Sequence, residues 1–298
     1  MTDREPSFTE RAICEAVGIT RKNLCCGRAF AFGFILGAGE QRDKDNIFLR
    51  AKTAELSEYL QKLVRVQFGR EAVVRCVSQK TGTYELSFIS SRAADMINDA
   101  ETAYEKTMKC SGCSGSFLCG LFCACASISD PKSGYYLSLR IPPEYKDTVS
   151  RTLVEADISA SYRESGKKGV FYMRASGIIE DFLAVCGMQK LLFDFMNCKI
   201  EKEIRNNANR SSNIEYNNIQ KSVGAAKKYI EAIDWLREND RLTGLDSELH
   251  EAARLRAENP ECSLSTLGAM MTPPVSKSGV LHRLNRIYDI YIRALKKD

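Results

Sequence analysis

The sequence FAFGFILGAGE, at residues 30–40, returns in altered form 87 positions later as FLCGLFCACAS, at residues 117–127. Each copy carries two small residues four positions apart, Gly33 with Gly37 and Gly120 with Ala124. This spacing places both small residues on one face of a helix, where a second backbone can approach closely. Glycine costs a helix about 1 kcal/mol relative to alanine, so its repeated use predicts that the two helices pack tightly against each other.

The segments that follow the two copies correspond as well. Each copy precedes a strand-like run, a helix, a hairpin and a closing helix. In the first half these are residues 47–52, residues 54–68, the strands around Gly82 and a helix from Ser91; in the second half they are residues 135–141, residues 144–156, the strands around Gly166 and a helix from Ser176. This order predicts an α+β fold in which one αββαββα unit occurs twice.

The repeated unit resembles the LAGLIDADG homing-endonuclease fold, whose signature helix pairs with its twin between the two halves. The resemblance places the metal-binding acid of that motif at Ala38 and at Cys125. Neither side chain can replace a carboxylate that holds a divalent metal through oxygen ligands. Glu40 lies nearby in the first half, but its counterpart is Ser127, so the two halves offer no symmetric pair of acids. The resemblance therefore implies the scaffold without catalytic residues.

Composition and charge are those of an ordinary soluble protein. The 298 residues are 44% hydrophobic and 27% charged, and the formal net charge of +5 permits nucleic-acid binding without requiring it. The longest apolar runs, residues 29–38 and 117–126, are shorter than the roughly 20 residues that a membrane span needs. The polar start MTDREPSF predicts no signal peptide, and we therefore expect a cytoplasmic protein.

Twelve cysteines raise the question of a metal site. Cys110 and Cys113 form a CxxC pair with Cys119 and Cys123 close behind, but no second CxxC or CxxH completes a set of four ligands. Cys119, Cys123 and Cys125 fall in the apolar repeat helix, where reduced cysteines behave as small apolar residues. We therefore expect cysteines in the core and no bound metal.

Changes in composition divide the chain into five segments. We assign residues 1–27 to an N-terminal helical extension, residues 28–108 and 109–198 to the two halves, residues 199–245 to a helical connector and residues 246–298 to a DNA-binding domain. The Gly- and Ser-rich residues 109–116 are expected to bridge the halves. The extension is expected to pack on the first half, and the Asn- and Ser-rich residues 206–218 to interrupt the connector.

Basic side chains on the strands of both halves form a candidate second DNA face. They are Arg50, Lys52, Arg75 and Lys80 in the first half and Arg140, Arg163, Lys167, Lys168 and Arg174 in the second. In homing endonucleases the equivalent sheets form a saddle over the DNA major groove. A solvated sheet face would carry the same residues, so the sequence leaves both interpretations open.

The C-terminal segment carries a helix-turn-helix pattern at residues 263–296. A first helix capped by Ser247 precedes a second helix at residues 264–271, which Ser263 can cap. The turn at residues 272–274 cannot continue that helix, because Pro274 lacks a backbone donor. A third helix begins at Ser276, and two short helices across a tight turn are typical of a helix-turn-helix.

The third helix has the features of a major-groove reader. The predicted DNA-binding residues are Ser263, Thr266, Ser276, Lys277, Ser278, Gly279, His282, Arg283 and Arg286. Small polar residues in the first turn leave backbone N–H groups open to phosphate, and arginine can read guanine edges or clamp phosphate. A solvated three-helix bundle without DNA contacts is the alternative.

With this motif included, the chain resembles the WhiA family. The likeness rests on the degenerate repeat, on the connector pattern NxExxN at Asn213, Glu215 and Asn218, and on PPVSKSGVLHRL at residues 273–284. WhiA proteins are bacterial DNA-binding transcription regulators of sporulation, cell division and chromosome segregation. Membership would imply these functions for the present chain.

The resulting hypothesis is a non-enzymatic transcription regulator that is cytoplasmic and nucleoid-associated. Its expected partners are double-stranded DNA and other transcription or division proteins, with no membrane, cofactor or small-molecule substrate. Three alternatives stay open: a nuclease that uses Glu40 and other acids, a protein-interaction scaffold of the division machinery with weak or non-specific DNA binding, and a zinc protein.

Overall fold

The computed structural model describes residues 5–78 and 82–296, and the chain forms two compact units that divide between Lys202 and Glu203. Lys80 of the candidate second DNA face lies outside the described residues, as do the first four residues of the N-terminal extension.

The first unit opens with α1 (Phe8–Gly18), and the first half of the repeat follows. Its elements are α2 (Leu24–Ala38), β1 (Gly39–Asp43), β2 (Asn46–Ala51), α3 (Ala54–Phe68), β3 (Val73–Ser78), β4 (Thr83–Ile89), α4 (Ser91–Asn98) and α5 (Ala100–Thr107). The strands form an antiparallel sheet in the order β1-β2-β4-β3. Ile47, Leu49 and Ala51 alternate along β2 and are buried, so one face of this sheet covers the core.

The second half repeats this order. Its elements are α6 (Gly112–Cys125), β5 (Ala126–Ile128), β6 (Leu137–Ile141), α7 (Lys146–Glu155), β7 (Ser161–Ser165), β8 (Lys168–Met173) and α8 (Ser176–Val185), with a 3-10 turn at Pro143–Tyr145 before α7. The strand order is β5-β6-β8-β7, which matches that of the first sheet. The predicted α+β fold with a duplicated αββαββα unit is confirmed.

The signature helices α2 and α6 pack with their backbones in contact. A Cβ atom on Gly33 would lie 2.0 Å from the carbonyl oxygen of Phe117, and one on Gly120 would lie 2.0 Å from that of Phe30. The two approaches are equivalent under the repeat. Because any side chain at these positions would collide with backbone atoms, the tight packing predicted from the small residues is confirmed.

Helix α1 packs on α3 of the first half, where the sequence led us to expect it, and it also contacts the second half. The Thr9 hydroxyl donates to the carbonyl of Ile128 at 3.1 Å and accepts its N–H at 3.0 Å, at the edge of β5. The Glu15 carboxylate accepts the N–H groups of Lys190 and Leu191 at 2.7 and 2.8 Å, in the first turn of the long helix that begins at Gln189. These partners lie more than 100 residues away along the chain, and no local pattern records them.

Helix α9 (Gln189–Glu238) is continuous over 50 residues, although residues 206–218 were expected to interrupt it. Residues 203–218 are all exposed, and this stretch contains neither proline nor glycine. Asparagine and serine reduce helix propensity by less than about 1 kcal/mol each, which lowers stability without forcing a break. Within residues 5–78 and 82–296, no helix combines the length and apolar character that a membrane crossing requires.

The second unit contains the end of α9 and three further helices. These are α10 (Ser247–Glu258), α11 (Leu264–Met270) and α12 (Lys277–Leu295), with a 3-10 turn at Leu242–Gly244 before α10. They share a small core of Tyr229, Ile233, Leu236, Leu249, Ala252, Ala253, Leu255, Leu267, Met271, Val280, Leu284 and Ile287. This core holds α11 and α12 in the predicted helix-turn-helix arrangement.

Three element boundaries differ from the sequence prediction. Asp246, not Ser247, caps α10, because its carboxylate accepts the N–H group three residues ahead at 2.9 Å. The closing helix of the first half is divided at Asp99, whose carboxylate caps α5 in the same way at 3.0 Å. Most of the expected bridge at residues 109–116 is helical, since α6 begins at Gly112 and continues into the packed apolar residues.

Candidate nucleic-acid interface

The helix-turn-helix is formed by α11, residues 271–276 and α12. Ser263 caps α11 and Ser276 caps α12, each by accepting the N–H group three residues ahead, at 3.1 and 3.2 Å. In the turn, the N–H of Val275 donates to the carbonyl of Gly268 at 3.0 Å. A Cβ atom on Gly268 would lie 2.2 Å from the Val275 carbonyl oxygen, so this turn requires glycine.

The start of α12 presents an exposed polar surface. Ser276, Lys277 and Ser278 are exposed, and Gly279 is half-buried. Helix geometry leaves the N–H groups of Lys277 and Ser278 without an intrahelical acceptor. Exposed Thr266 lies at the start of α11, with its hydroxyl 2.8 Å from that of the Ser263 cap. The turn can therefore offer backbone N–H groups, hydroxyls and one ammonium group to a phosphate.

The three predicted DNA-binding residues further along α12 have different surroundings. His282 is exposed. The Arg283 side chain is only 14% exposed, and its guanidinium lies 3.0 Å from the Glu248 carboxylate and 3.4 Å from the Met271 sulfur. The Arg286 side chain is 52% exposed, with its guanidinium 3.4 Å from the Asp246 carboxylate. Arg283 is thus held within the domain, while His282 and Arg286 reach solvent.

Sequence reasoning missed a lysine-lined cavity beside the helix-turn-helix. The cavity has a volume of about 570 Å³, and exposed Lys221, Lys228 and Lys277 line it together with Ser263 and Ser265. Among the described residues that line it, none is acidic. The relevant signal is weak in the sequence, because these lysines lie up to 56 positions apart on two helices.

A second cavity, of about 690 Å³, lies at the C-terminal ends of α2 and α6. Ala38 and Cys125 line it at the two positions where the endonuclease motif has its acids. Burial raises the pKa of Cys125 to about 12, which keeps the thiol neutral. Four basic residues of the candidate second DNA face meet around this cavity: Arg50, Lys52, Arg140 and Lys168.

The first-half side of this cavity is electrically balanced. The Arg42 guanidinium lies 3.1 Å from the Glu40 carboxylate and 2.8 Å from that of Glu85. The hydrogen bond from Arg42 lowers the pKa of Glu40, which remains charged and paired. Glu85 also stands opposite Arg50 on one neighbouring strand and opposite Arg75 on the other. Arg42, Arg50 and Arg75 therefore each face a carboxylate. The counterpart of Glu40 in the second half is Ser127, so Glu40 has no symmetric partner acid.

The second-half side carries basic side chains without those acids. Where Glu85 stands between two arginines in the first sheet, Val170 stands between Arg140 and Arg163 in the second. Arg163 and Arg174 both lie over the Tyr172 ring, at 5.6 and 5.5 Å. Exposed Lys167 occupies the turn of the β7-β8 hairpin. The central cross-strand partner of two arginines is therefore a carboxylate in the first sheet and an apolar side chain in the second.

Desolvation lowers the pKa of Lys52, and neighbouring Arg140 and Lys168 act in the same direction. An anion in the cavity at the ends of α2 and α6 would relieve the repulsion among these three cations.

Two α/β halves without the motif acids, followed by a helix-turn-helix domain, define a degenerate LAGLIDADG protein with a C-terminal HTH. The profile of the WhiA LAGLIDADG-like domain matches residues 114–205, and that of the WhiA C-terminal HTH domain matches residues 208–291. The chain belongs to the WhiA family.

Curated relatives and solved structures agree with this assignment. The chain is 36% identical to a probable cell division protein WhiA of Carboxydothermus hydrogenoformans over 61% of its own length and 59% of the relative's. It is 30% identical to a protein of the same name from Natranaerobius thermophilus over 95% of its length and 94% of the relative's. The crystal structure of full-length DUF199/WhiA from Thermotoga maritima has the same fold, with a TM-score of 0.62 at 23% identity over 97% of this chain and 99% of that one.

Proposed function

We propose that this chain is a DNA-binding transcription regulator of sporulation, or of cell division and chromosome segregation, without nuclease activity. The observation that carries the proposal is the exposed first turn of α12, where Lys277 joins two further lysines around a cavity beside the helix-turn-helix. The relatives named probable cell division protein WhiA support the choice of process. Such a protein would work in the cytoplasm, on the nucleoid.

DNA readout is assigned to Lys277 and His282 ahead of Arg283. Lys277 and His282 are exposed on the first two turns of α12, where a recognition helix contacts base edges and phosphates. Arg283 is largely buried and paired with Glu248, and it would have to leave that carboxylate before it could contact DNA. Lys221 and Lys228 are assigned to the phosphate backbone, because ammonium groups of exposed lysines act as point charges for phosphate.

A salt titration of duplex-DNA binding on genomic fragments, with magnesium present, tests the proposal. We expect wild type to bind specific fragments and Lys277→Ala/His282→Ala to lose about tenfold or more in affinity. The control is Arg237→Ala/Arg254→Ala, which removes two positive charges from exposed arginines of the same unit that pair with Asp234 and Glu258. If both variants lost the same affinity for DNA, binding would depend on general charge attraction, and the assignment of DNA readout to Lys277 and His282 would be wrong.

The same reactions test the absence of nuclease activity. The DNA should be recovered intact, because Ala38 and Cys125 cannot hold a catalytic metal and Glu40 is paired with Arg42. Cleavage that depends on magnesium and disappears in Glu40→Gln would contradict this part of the proposal.

A protein-interaction scaffold is the second candidate, and one feature of α9 favours it. Phe193, Met196 and Ile200 follow one another at helical spacing with 62%, 38% and 52% of their surfaces exposed. An exposed apolar stripe of this kind is typical of a surface that binds protein. A chain that retains no DNA at moderate salt, and yet binds a division protein through this stripe, would favour the scaffold.

A further inference from the structure

Four cysteine sulfurs from both halves of the first unit meet at one point. Cys25 and Cys26 lie in the first turn of α2, Cys110 precedes α6, and Cys113 lies in the first turn of α6. The Cys110 sulfur is 3.6 Å from that of Cys25, 3.5 Å from that of Cys26 and 3.6 Å from that of Cys113. All four sulfurs lie within 4.8 Å of one another. The two ligands that the CxxC pair lacks in sequence are thus supplied by the other half.

These separations fit a single tetrahedral ion. With Zn–S bonds of about 2.3 Å, the four sulfurs of a zinc site lie about 3.8 Å apart. A disulfide needs about 2.05 Å between sulfurs, and all four cysteines are free thiols. An iron–sulfur cluster places several atoms between its ligand sulfurs and therefore needs them further apart than one ion does.

Core packing explains other cysteines of the chain but not these four. Cys119 and Cys123 are fully buried in α6, as the sequence predicts for apolar packing. Within the group of four, Cys110 is exposed and Cys25 is half-buried, so neither gains much from being apolar. A thiol is also a weak hydrogen-bond donor, which gives four thiols little reason to gather.

The surroundings suit thiolates. The sulfurs lie at the N-terminal ends of α2 and α6, where the helix dipoles favour negative charge. The Asn23 amide donates toward the Cys110 sulfur at 3.9 Å, the kind of outer hydrogen bond that orients a metal ligand. Gly112 keeps the site open, because a Cβ atom there would lie 3.3 Å from the Cys26 sulfur.

We propose that Cys25, Cys26, Cys110 and Cys113 bind one Zn²⁺ ion in a closed four-thiolate site that clamps α2 to α6. The four thiols release their protons to solvent as the ion binds, and the exposed Cys110 side provides the route of entry. Cys26 and Cys110 are 84 positions apart, so the ion closes a loop that contains the whole first half. The role is structural, since four protein ligands leave no open position for a substrate.

Metal analysis of the 298-residue chain, purified without chelators, tests the site. We expect about one zinc per chain in wild type and in Cys76→Ser, whose thiol is exposed on β3 away from the group of four. Cys110→Ser should lose at least about tenfold in zinc content, within the 10- to 100-fold range for a damaged metal site. Chelation should lower the thermal midpoint of wild type by at least about 5 °C and leave Cys110→Ser unchanged.

Cobalt substitution separates loss of the site from loss of the fold. Wild type loaded with Co²⁺ should show the intense visible absorption of a tetrahedral thiolate complex, even if Cys110→Ser fails to fold. The proposal would be overturned if wild type bound neither zinc nor cobalt, or if Cys110→Ser kept its full zinc content. A disulfide among these four cysteines in protein purified under reducing conditions would also overturn it.

Discussion

Arg256 is an arginine that shapes a loop from inside the second unit. It is 2% exposed, and its guanidinium donates to the carbonyls of Asn259, Pro260 and Cys262 at 3.4, 3.2 and 3.0 Å. Burial lowers its pKa. These bonds hold the α10–α11 loop, from which the Ser263 cap and the helix-turn-helix begin.

Arg256→Met should therefore lower the free energy of unfolding of the second unit by roughly 2–4 kcal/mol, because charge-assisted hydrogen bonds to backbone carbonyls are lost. Trp235, the single tryptophan, packs against Tyr291 in this unit and reports its unfolding by fluorescence. Arg254→Met is the matched control, since the exposed Arg254–Glu258 pair contributes about 0–1 kcal/mol. Equal stability of the two variants would show that the buried bonds do not hold the loop.

Substitution of Arg283 should affect mainly the stability of the second unit, whereas substitution of Lys277 should affect mainly its affinity for DNA. Arg283→Ala removes a half-buried contact with Glu248 and Met271, so we expect about 1 kcal/mol lower stability and less than about threefold change in affinity. Lys277→Ala should leave stability unchanged and reduce the slope of log K against log salt by about 1, because it removes one phosphate contact. Denaturant titration by Trp235 fluorescence and DNA binding on the same preparations check both. If Arg283→Ala weakens binding more than Lys277→Ala, then Arg283 leaves Glu248 in the complex.

At the scale of elements, the contact between α2 and α6 holds the first unit together. Gly33→Ala should lower the free energy of unfolding by about 2 kcal/mol or more, because its new methyl group would meet the Phe117 carbonyl and push the helices apart. Gly177→Ala in α8 is the control: a Cβ atom there has nothing within 4 Å, and alanine favours the helix. Thermal unfolding followed by far-UV circular dichroism measures both. A Gly33→Ala protein as stable as Gly177→Ala would mean that the backbones are not in contact.

At the scale of the whole molecule, the distribution of basic charge decides whether the endonuclease-like unit also contacts DNA. Arg140→Ala/Lys168→Ala should lower the slope of log K against log salt by about 2, since about 0.9 ion is released per neutralised phosphate. Lys62→Ala/Arg65→Ala removes the same charge from the exposed side of α3, outside the cavity. The control should keep the wild-type slope within about 0.5. Identical slopes in both variants would assign all phosphate contacts to the second unit.

By itself, the sequence determined the repeat, the α+β class, the position of the helix-turn-helix and the replacement of the motif acids. Each depends on local spacing, such as Gly33 with Gly37, or on one residue such as Ala38. Only the tertiary structure decided which charges are free and which cysteines meet. Arg283 pairs with Glu248, 35 positions away, and Cys26 meets Cys110 across 84 positions. Periodicity records which face of an element is buried, but the partner across the core depends on how the elements pack.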